Sequence, residues 1–178
     1  MAIQEKNLSK LLNEMARKDQ EKLKQARRTL IFNDKVQRTN TTRLKKIVQK
    51  YGWPTIHLVG KRASRNAWLI IQHTNHDVRF QKKCLKLMKE IYVRNPQDIA
   101  LENIAFLTDR ILVNTKKKQL FGTQFYVNKV NKNGVLMYWP IRDFKNLDKR
   151  RKEYGIPPFR KYLGAIKSVK PLRIRTGK

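Results

Sequence analysis

Apolar residues recur every three or four positions through most of this chain, and that period constrains its fold more than any other feature. Between residues 5 and 32, Leu8, Leu11, Leu12, Met15, Leu23, Ala26 and Leu30 stand at spacings of 3, 4 or their sums. The pattern predicts one amphipathic helix about 40 Å long. Lys10, Lys18, Lys24, Arg27 and Arg28 fall largely off the stripe, on the face left to solvent. Asn40-Thr41-Thr42 offers capping side chains ahead of Leu44, Ile47, Val48 and Tyr51. Gly52 ends that second helix, and Trp53-Pro54 leaves it as extended chain. Ser64 is placed to cap a third helix containing Ala67, Trp68, Ile70 and Ile71, which Asn75 to Asp77 interrupts. Asp77 is expected to cap a fourth helix through Tyr92, and Asn95-Pro96 punctuates before a helix over residues 99–113.

The period changes after Lys116-Lys117-Lys118. Residues 121–130 and 135–141 are rich in aromatic and β-branched side chains, and Asn131-Lys132-Asn133-Gly134 between them is a strong hairpin turn, because Asn-Gly tolerates positive φ. An isolated hairpin is marginal, so this one must pack on something else. Residues 142–153 read as a short polar helix ended by Gly155-Ile156-Pro157-Pro158. The last acidic residue is Glu153, and residues 165–178 read as an extended basic tail. The expectation is an α+β protein: a mainly helical domain over 1–164, with one C-terminal β-hairpin at about 121–141, and a basic tail over 165–178.

Charge narrows the function. Lysine and arginine number 42 against 13 aspartates and glutamates, a net charge of +29 on 178 residues. Such a field destabilises a compact chain by self-repulsion, and solubility needs a net charge of only about 2–8. Hydrophobic residues at 40% are too many for a disordered basic tail. A folded chain with a cationic surface calls for a polyanion, and nucleic acid, RNA or DNA, is the usual one. The candidate phosphate-contacting residues are Arg27, Arg28, Arg43, Lys45, Lys46, Lys61, Arg62, Lys116, Lys117, Lys118, Arg150, Arg151, Arg160, Lys161, Arg173 and Arg175. Their spread along the whole chain suits backbone contacts, which position without reading sequence. Tyr126, Tyr138 and Trp139 on the hairpin are placed either to pack or to stack bases. No zinc finger, RNA-recognition signature, basic zipper, phosphate loop or nucleophile elbow is present in the sequence.

A second set of phrases runs through the chain: Asp19-Gln20, Tyr51-Gly52-Trp53-Pro54, Gln72-His73 with Asp77, Asp109-Arg110, Gly122-Thr123-Gln124 and Arg150-Arg151 before Gly155. In that order, over about residues 10–163, the chain resembles a family of uncharacterised, mostly bacterial proteins known as a domain of unknown function. The resemblance implies a shared fold and no particular activity. It also marks a departure, since members of that family look acidic to neutral where this chain is saturated with Lys and Arg.

The same phrases supply candidates for chemistry. His73 and Asp77 would share a face of a continuous helix. With Asp109, Arg110, Gln124 and Arg151 they would line one polar pocket able to work as an acid–base pair on a polar substrate. The alternative is a buried structural network in which Asp77 caps a helix and Asp109 pairs internally. The nucleic-acid reading places the chain within a larger nucleoprotein assembly; a third possibility is a scaffold whose cationic surface docks an acidic protein. His73 and His76 lack a third ligand at metal-binding spacing, so neither a metal nor a cofactor is expected. Cys84 falls in line with Leu87, Met88 and Ile91 and reads as a core residue. The N-terminal residues have no secretory pattern and no stretch is apolar enough to span a bilayer, so the expected location is intracellular: cytoplasm or nucleus, or a virion for a viral chain.

Overall fold

The helical period is realised as seven α-helices among the described residues, with one two-stranded antiparallel sheet near the C-terminus. The computed structural model describes residues 2–29, 34–128 and 135–167. They fall into two compact units, Met1–Leu107 and Thr108–Lys178.

In the first unit, α1 (Ala2–Thr29) packs chiefly on α3 (Ile56–Gln72) and also on α2 (Lys35–Tyr51). Leu8, Leu12, Met15 and Ala16 of α1 are buried against a core that includes Leu44, Ile47 and Val48 of α2 and Ala63, Ala67, Ile70 and Ile71 of α3. Each of the Leu, Ile, Val and Met side chains contributes roughly 1.5–3 kcal/mol on burial, and the alanines less. That apolar stripe outweighs the mutual repulsion of the lysines on the opposite face. The fourth helix, α4 (Val78–Arg94), adds Phe80, Cys84 and Met88 to the buried set, and Asp77 caps it as expected, its Oδ1 accepting from the Phe80 amide at 3.0 Å.

Two expected caps are corrected. The second helix starts at Lys35, so Asn40 and Thr41 lie inside it, buried, where their polar atoms join helices. Asn40 Nδ2 donates to the Met15 carbonyl at 3.0 Å, and the Thr41 hydroxyl donates to the Gln37 carbonyl at 2.8 Å and bonds the Thr74 hydroxyl at 3.0 Å. Thr55, and not Ser64, caps α3, accepting from the Leu58 amide at 3.1 Å. Gly60 interrupts that helix at φ 80°, ψ 157°, a backbone region open in practice only to glycine, and Ser64 is buried beyond the break.

The fifth helix, α5 (Leu101–Asn114), spans the division between the units. In the second unit, β1 (Phe125–Asn128) pairs with β2 (Val135–Tyr138) in the register Phe125 opposite Tyr138 and Asn128 opposite Val135. The expected strand over 121–130 begins four residues late, because the amides of Phe121, Thr123 and Gln124 are taken by side chains rather than by a neighbouring strand. The turn Asn131–Gly134 lies outside the described residues. A short helix, α6 (Leu147–Glu153), ends at Gly155 with φ 67°. Asp148 then accepts from the Phe159 amide at 2.7 Å at the start of α7 (Phe159–Lys167). Residues 165–167, expected in the extended tail, are the last turn of α7; residues 168–178 lie outside the described residues. Among the described residues, no helix is long and apolar enough to cross a membrane.

Candidate functional site

His73 stands at the C-terminal cap of α3, where its own amide bonds the carbonyls of Ile70 and Ile71 and the chain leaves helical geometry. Asp77 is therefore not one helical turn further along the same face, and the expected His73–Asp77 pair does not form. Asp77 instead caps α4 and holds the Lys45 ammonium at 2.5 Å. Burial pushes the Asp77 carboxyl up, but the Lys45 bond and the Phe80 amide outweigh it and leave the group below the ordinary aspartate value.

The partner of His73 is Asp19. His73 Nδ1 lies 2.6 Å from Asp19 Oδ2, with Asp19 1% exposed and the His73 side chain 23% exposed. Gln20 Nε2 donates to the same carboxylate oxygen at 3.1 Å. A buried carboxylate holding Nδ1 fixes the ring and its tautomer, leaving Nε2 to accept or deliver a proton. The signal for Asp19 was in the sequence. It stands four residues after Met15 on the stripe of Leu8, Leu12 and Met15, an inward-facing position where a lone carboxylate needs a partner.

Beside this dyad, along the α1–α3 seam, lies an open cleft of about 410 Å³ lined by Asn13, Ala16, Arg17, Gln20, Arg62, Arg65, Asn66 and Leu69. Asn66 Nδ2 donates to Asn13 Oδ1 at 2.8 Å across the seam, and Arg17 pairs with Glu21 at 2.7 Å. Gln20 belongs to both the cleft and the dyad. The lining is polar and cationic, suited to an anion.

In the second unit Asp109 is fully buried on α5 and organises the loop that follows. Its Oδ1 accepts from the amides of Leu120 at 2.7 Å and Phe121 at 3.0 Å; its Oδ2 accepts from the amides of Phe121 at 3.1 Å and Thr123 at 3.0 Å and from the Thr123 hydroxyl at 2.9 Å. Burial pushes this carboxyl above the ordinary aspartate value, against the pull of those amides. Gln124 Nε2 donates to the Thr123 hydroxyl at 2.9 Å, and Gln119 closes the loop by accepting from the Gln124 amide at 2.9 Å. Gly122, at φ 66°, passes so close to Phe159 that a Cβ would lie 2.8 Å from its ring. Asp109 and Gln124, offered by the sequence as catalytic candidates, are thus spent on the loop. Arg110 is half-buried, and the loss of solvent lowers the pKa of its guanidinium.

Two of the residues expected to contact phosphates are engaged within the protein. Arg151 is 0% exposed, with Nε donating to the Pro157 carbonyl at 2.7 Å and Nη1 to the Phe121 carbonyl, and its guanidinium lies 4.7 Å from the Tyr162 ring centroid. Arg150 donates to the carbonyls of Leu120, Arg142 and Asp143 and pairs with the Asp143 carboxylate at 3.0 Å. Their adjacent charges read as a surface patch, whereas carbonyls distant in sequence claim them. Of the residues expected to line one pocket, His73 and Asp77 belong to the first unit, and Asp109, Arg110, Gln124 and Arg151 to the second.

The remaining cations do face solvent. Arg43, Lys45, Lys46, Lys61, Arg62, Lys116, Lys117, Lys118, Arg160 and Lys161 are exposed. Arg27 and Arg28 lie on α1; Arg173 and Arg175 lie outside the described residues. Among the described residues, no group of three or more His, Cys, Asp or Glu is placed to hold a metal ion.

The architecture is that of a mostly helical α+β protein with a small C-terminal hairpin. The chain belongs to the family of unknown function DUF6624, which it matches over residues 21–175. That stretch takes in His73, Asp109, the Gly122-Thr123-Gln124 loop and Arg151, and begins just after Asp19-Gln20. No curated protein and no solved structure matches the chain.

Proposed function

We propose that the protein binds RNA or DNA through its cationic surface, without strong sequence preference, as a component of a larger nucleoprotein assembly. The observation that supports this most is an imbalance the fold cannot correct. Thirteen carboxylates face 42 cations, and Asp19 and Asp109 are withdrawn into the interior. Exposed lysines and arginines on α2, α3 and α7 and in the Lys116–Lys118 run keep their charge in solvent, which suits contacts to phosphates. The test is affinity for generic single-stranded and duplex oligonucleotides against salt. With 6–10 phosphates neutralised, affinity falls on the order of 10³–10⁵-fold between 50 and 200 mM salt. Replacing Lys116, Lys117 and Lys118 together by alanine lowers the slope of that dependence while leaving the melting temperature in place. A flat salt response, or no binding at low salt, refutes the reading.

One observation favours a second reading, in which the protein is an enzyme. The His73–Asp19 dyad, with Nδ1 held at 2.6 Å and the ring still partly open to solvent, is an oriented acid–base group beside a cationic cleft. If it serves only the fold, His73→Gln lowers stability by about 1–3 kcal/mol, the usual cost of leaving a buried polar group poorly paired, and nucleic-acid binding survives. If it serves catalysis, the same change leaves the fold nearly intact and removes turnover of an anionic substrate.

A further inference from the structure

The second unit exposes three of its aromatic side chains. Of the five large hydrophobic side chains exposed among the described residues, four lie here: Met137 at 40%, Tyr138 at 42%, Trp139 at 39% and Phe144 at 54%. Met137, Tyr138 and Trp139 sit at the end of β2, and Phe144 precedes α6. Tyr126 and Trp139 rest on each other at 4.7 Å between centroids. Tyr138 and Phe144 both stand perpendicular to Phe159, at 5.2 and 5.8 Å between centroids and with the same interplanar angle of 86°. Phe159 is buried at the base of a groove of about 460 Å³, whose lining also includes Lys145, Leu147 and Arg160. Tyr138 and Phe144 therefore keep part of each ring open to solvent, and two exposed cations, Lys145 and Arg160, line the same groove. The Asp148 carboxylate, which also lines the groove, is occupied in part by the Phe159 amide at 2.7 Å.

We infer that this groove receives an unpaired nucleobase, stacked against Tyr138 and Phe144, while Lys145 and Arg160 hold the flanking phosphates. The inference rests on the nucleic-acid reading above and gives it a site. Three features select this occupant. The volume falls within the range of about 300–1,000 Å³ typical of small-ligand sites, ample for one flat heterocycle. Exposed rings offer the π-faces that sequence-tolerant single-strand binders use. The cationic rim, on a chain of net charge +29, complements a phosphodiester and would repel a basic segment. Phe144 escaped the sequence reading because it lies in a polar stretch outside the strands, whereas Tyr138 was visible on the hairpin.

The experiment compares the full chain's affinity for a single-stranded 12-nucleotide oligothymidylate and for an abasic strand of the same length and charge. Stacking of a base on aromatic side chains is worth roughly 5- to 150-fold in affinity. The wild type is therefore expected to prefer the strand with bases by at least the lower figure. Tyr138→Ala with Phe144→Ala removes the preference and leaves abasic affinity unchanged; both side chains are exposed, so the fold is retained. Lys145→Ala with Arg160→Ala weakens both strands alike. Equal binding of the two strands by the wild type, or a preference that survives loss of both rings, overturns the inference while electrostatic binding stands, and leaves the groove to an apolar protein segment. Absence of binding to either strand at low salt overturns the nucleic-acid reading itself.

Discussion

Asp109→Asn tests whether one buried carboxylate builds the loop from Leu120 to Gln124. The substitution is nearly isosteric, so its effect isolates the oxygen replaced by an amide. The best orientation puts the new amide oxygen where Oδ2 lies, keeping the bonds from Phe121, Thr123 and the Thr123 hydroxyl at 3.1, 3.0 and 2.9 Å. The new NH₂ then faces the Leu120 amide, which donates at 2.7 Å in the wild type. A hydrogen bond to a charged group is lost, at about 1.5–3 kcal/mol, and a donor now meets a donor. The three bonds that remain become neutral and weaker. Against this, the variant no longer buries a charge, and that burial is what pushes the Asp109 carboxyl upward. The net expectation is a loss of about 2–4 kcal/mol, which for a chain of this length corresponds to a fall of about 4–16 °C in melting temperature. Thermal unfolding followed by circular dichroism measures it. The sign of the pH response is also fixed. A folded-state pKa above the unfolded one makes the wild type gain stability from this group as pH falls through that window, a gain Asp109→Asn lacks. The gap between the two proteins therefore widens on acidification. A fall of less than 2 °C would refute the reasoning and show that the loop holds itself through Gln119 and Arg151.

The Asp77–Lys45 pair has the opposite pH signature: because the Asp77 carboxyl is held below its ordinary value, its contribution is present at neutral pH and is lost as pH falls through the folded-state pKa. Asp77→Asn keeps a competent helix cap, so urea titrations should give a deficit of about 0.2–1 kcal/mol at pH 7, the range of a surface pair, closing as pH falls below the ordinary aspartate value. A deficit that stays constant across that range would assign the loss to the cap. Cys84 is fully buried and its thiol is pushed up to about 12 by burial, so a thiol reagent at pH 8 should leave it unlabelled until denaturant unfolds the chain. Rapid stoichiometric labelling of the native protein would remove Cys84 from the core.

The helices were legible because burying a stripe every three or four residues depends only on local spacing. Their caps were less legible. Asn40 and Thr41 have the side chains of a helix start, yet they bond Met15, Gln37 and Thr74; the residue type is the same whether it ends a helix or ties two together. His73 and Asp77 failed as a pair because a four-residue spacing means contact only while the helix continues, and it stops at Gln72. Arg150 and Arg151 read as surface charge because the carbonyls that claim them, at Leu120, Phe121 and Arg142, lie eight to thirty residues away. Asp19 was legible in principle, as the polar member of an apolar stripe, but its partner lies 54 positions on.

The placement of the aspartates links these details to the charge. The chain has seven, and each is committed: Asp19 to His73, Asp34 to Arg38, Asp77 to Phe80 and Lys45, Asp98 to the His57 amide, Asp109 to its loop, Asp143 to Arg150 and Asp148 to the Phe159 amide. Four of the seven accept from backbone N–H groups, a task the abundant lysines and arginines cannot perform because their side chains carry no acceptor. A chain drifting toward positive charge can exchange an exposed glutamate for lysine at little cost, since exposed pairs are worth only about 0–1 kcal/mol. It cannot do so at Asp77, Asp98, Asp109 or Asp148 without leaving an amide unpaired. Four of the thirteen carboxylates are therefore fixed where the backbone requires an acceptor, and the rest are few against 42 cations. Compensation of that surface falls to counterions in the free protein, and a nucleic acid bound there would release the cations condensed on its own phosphates, the driving force of such association.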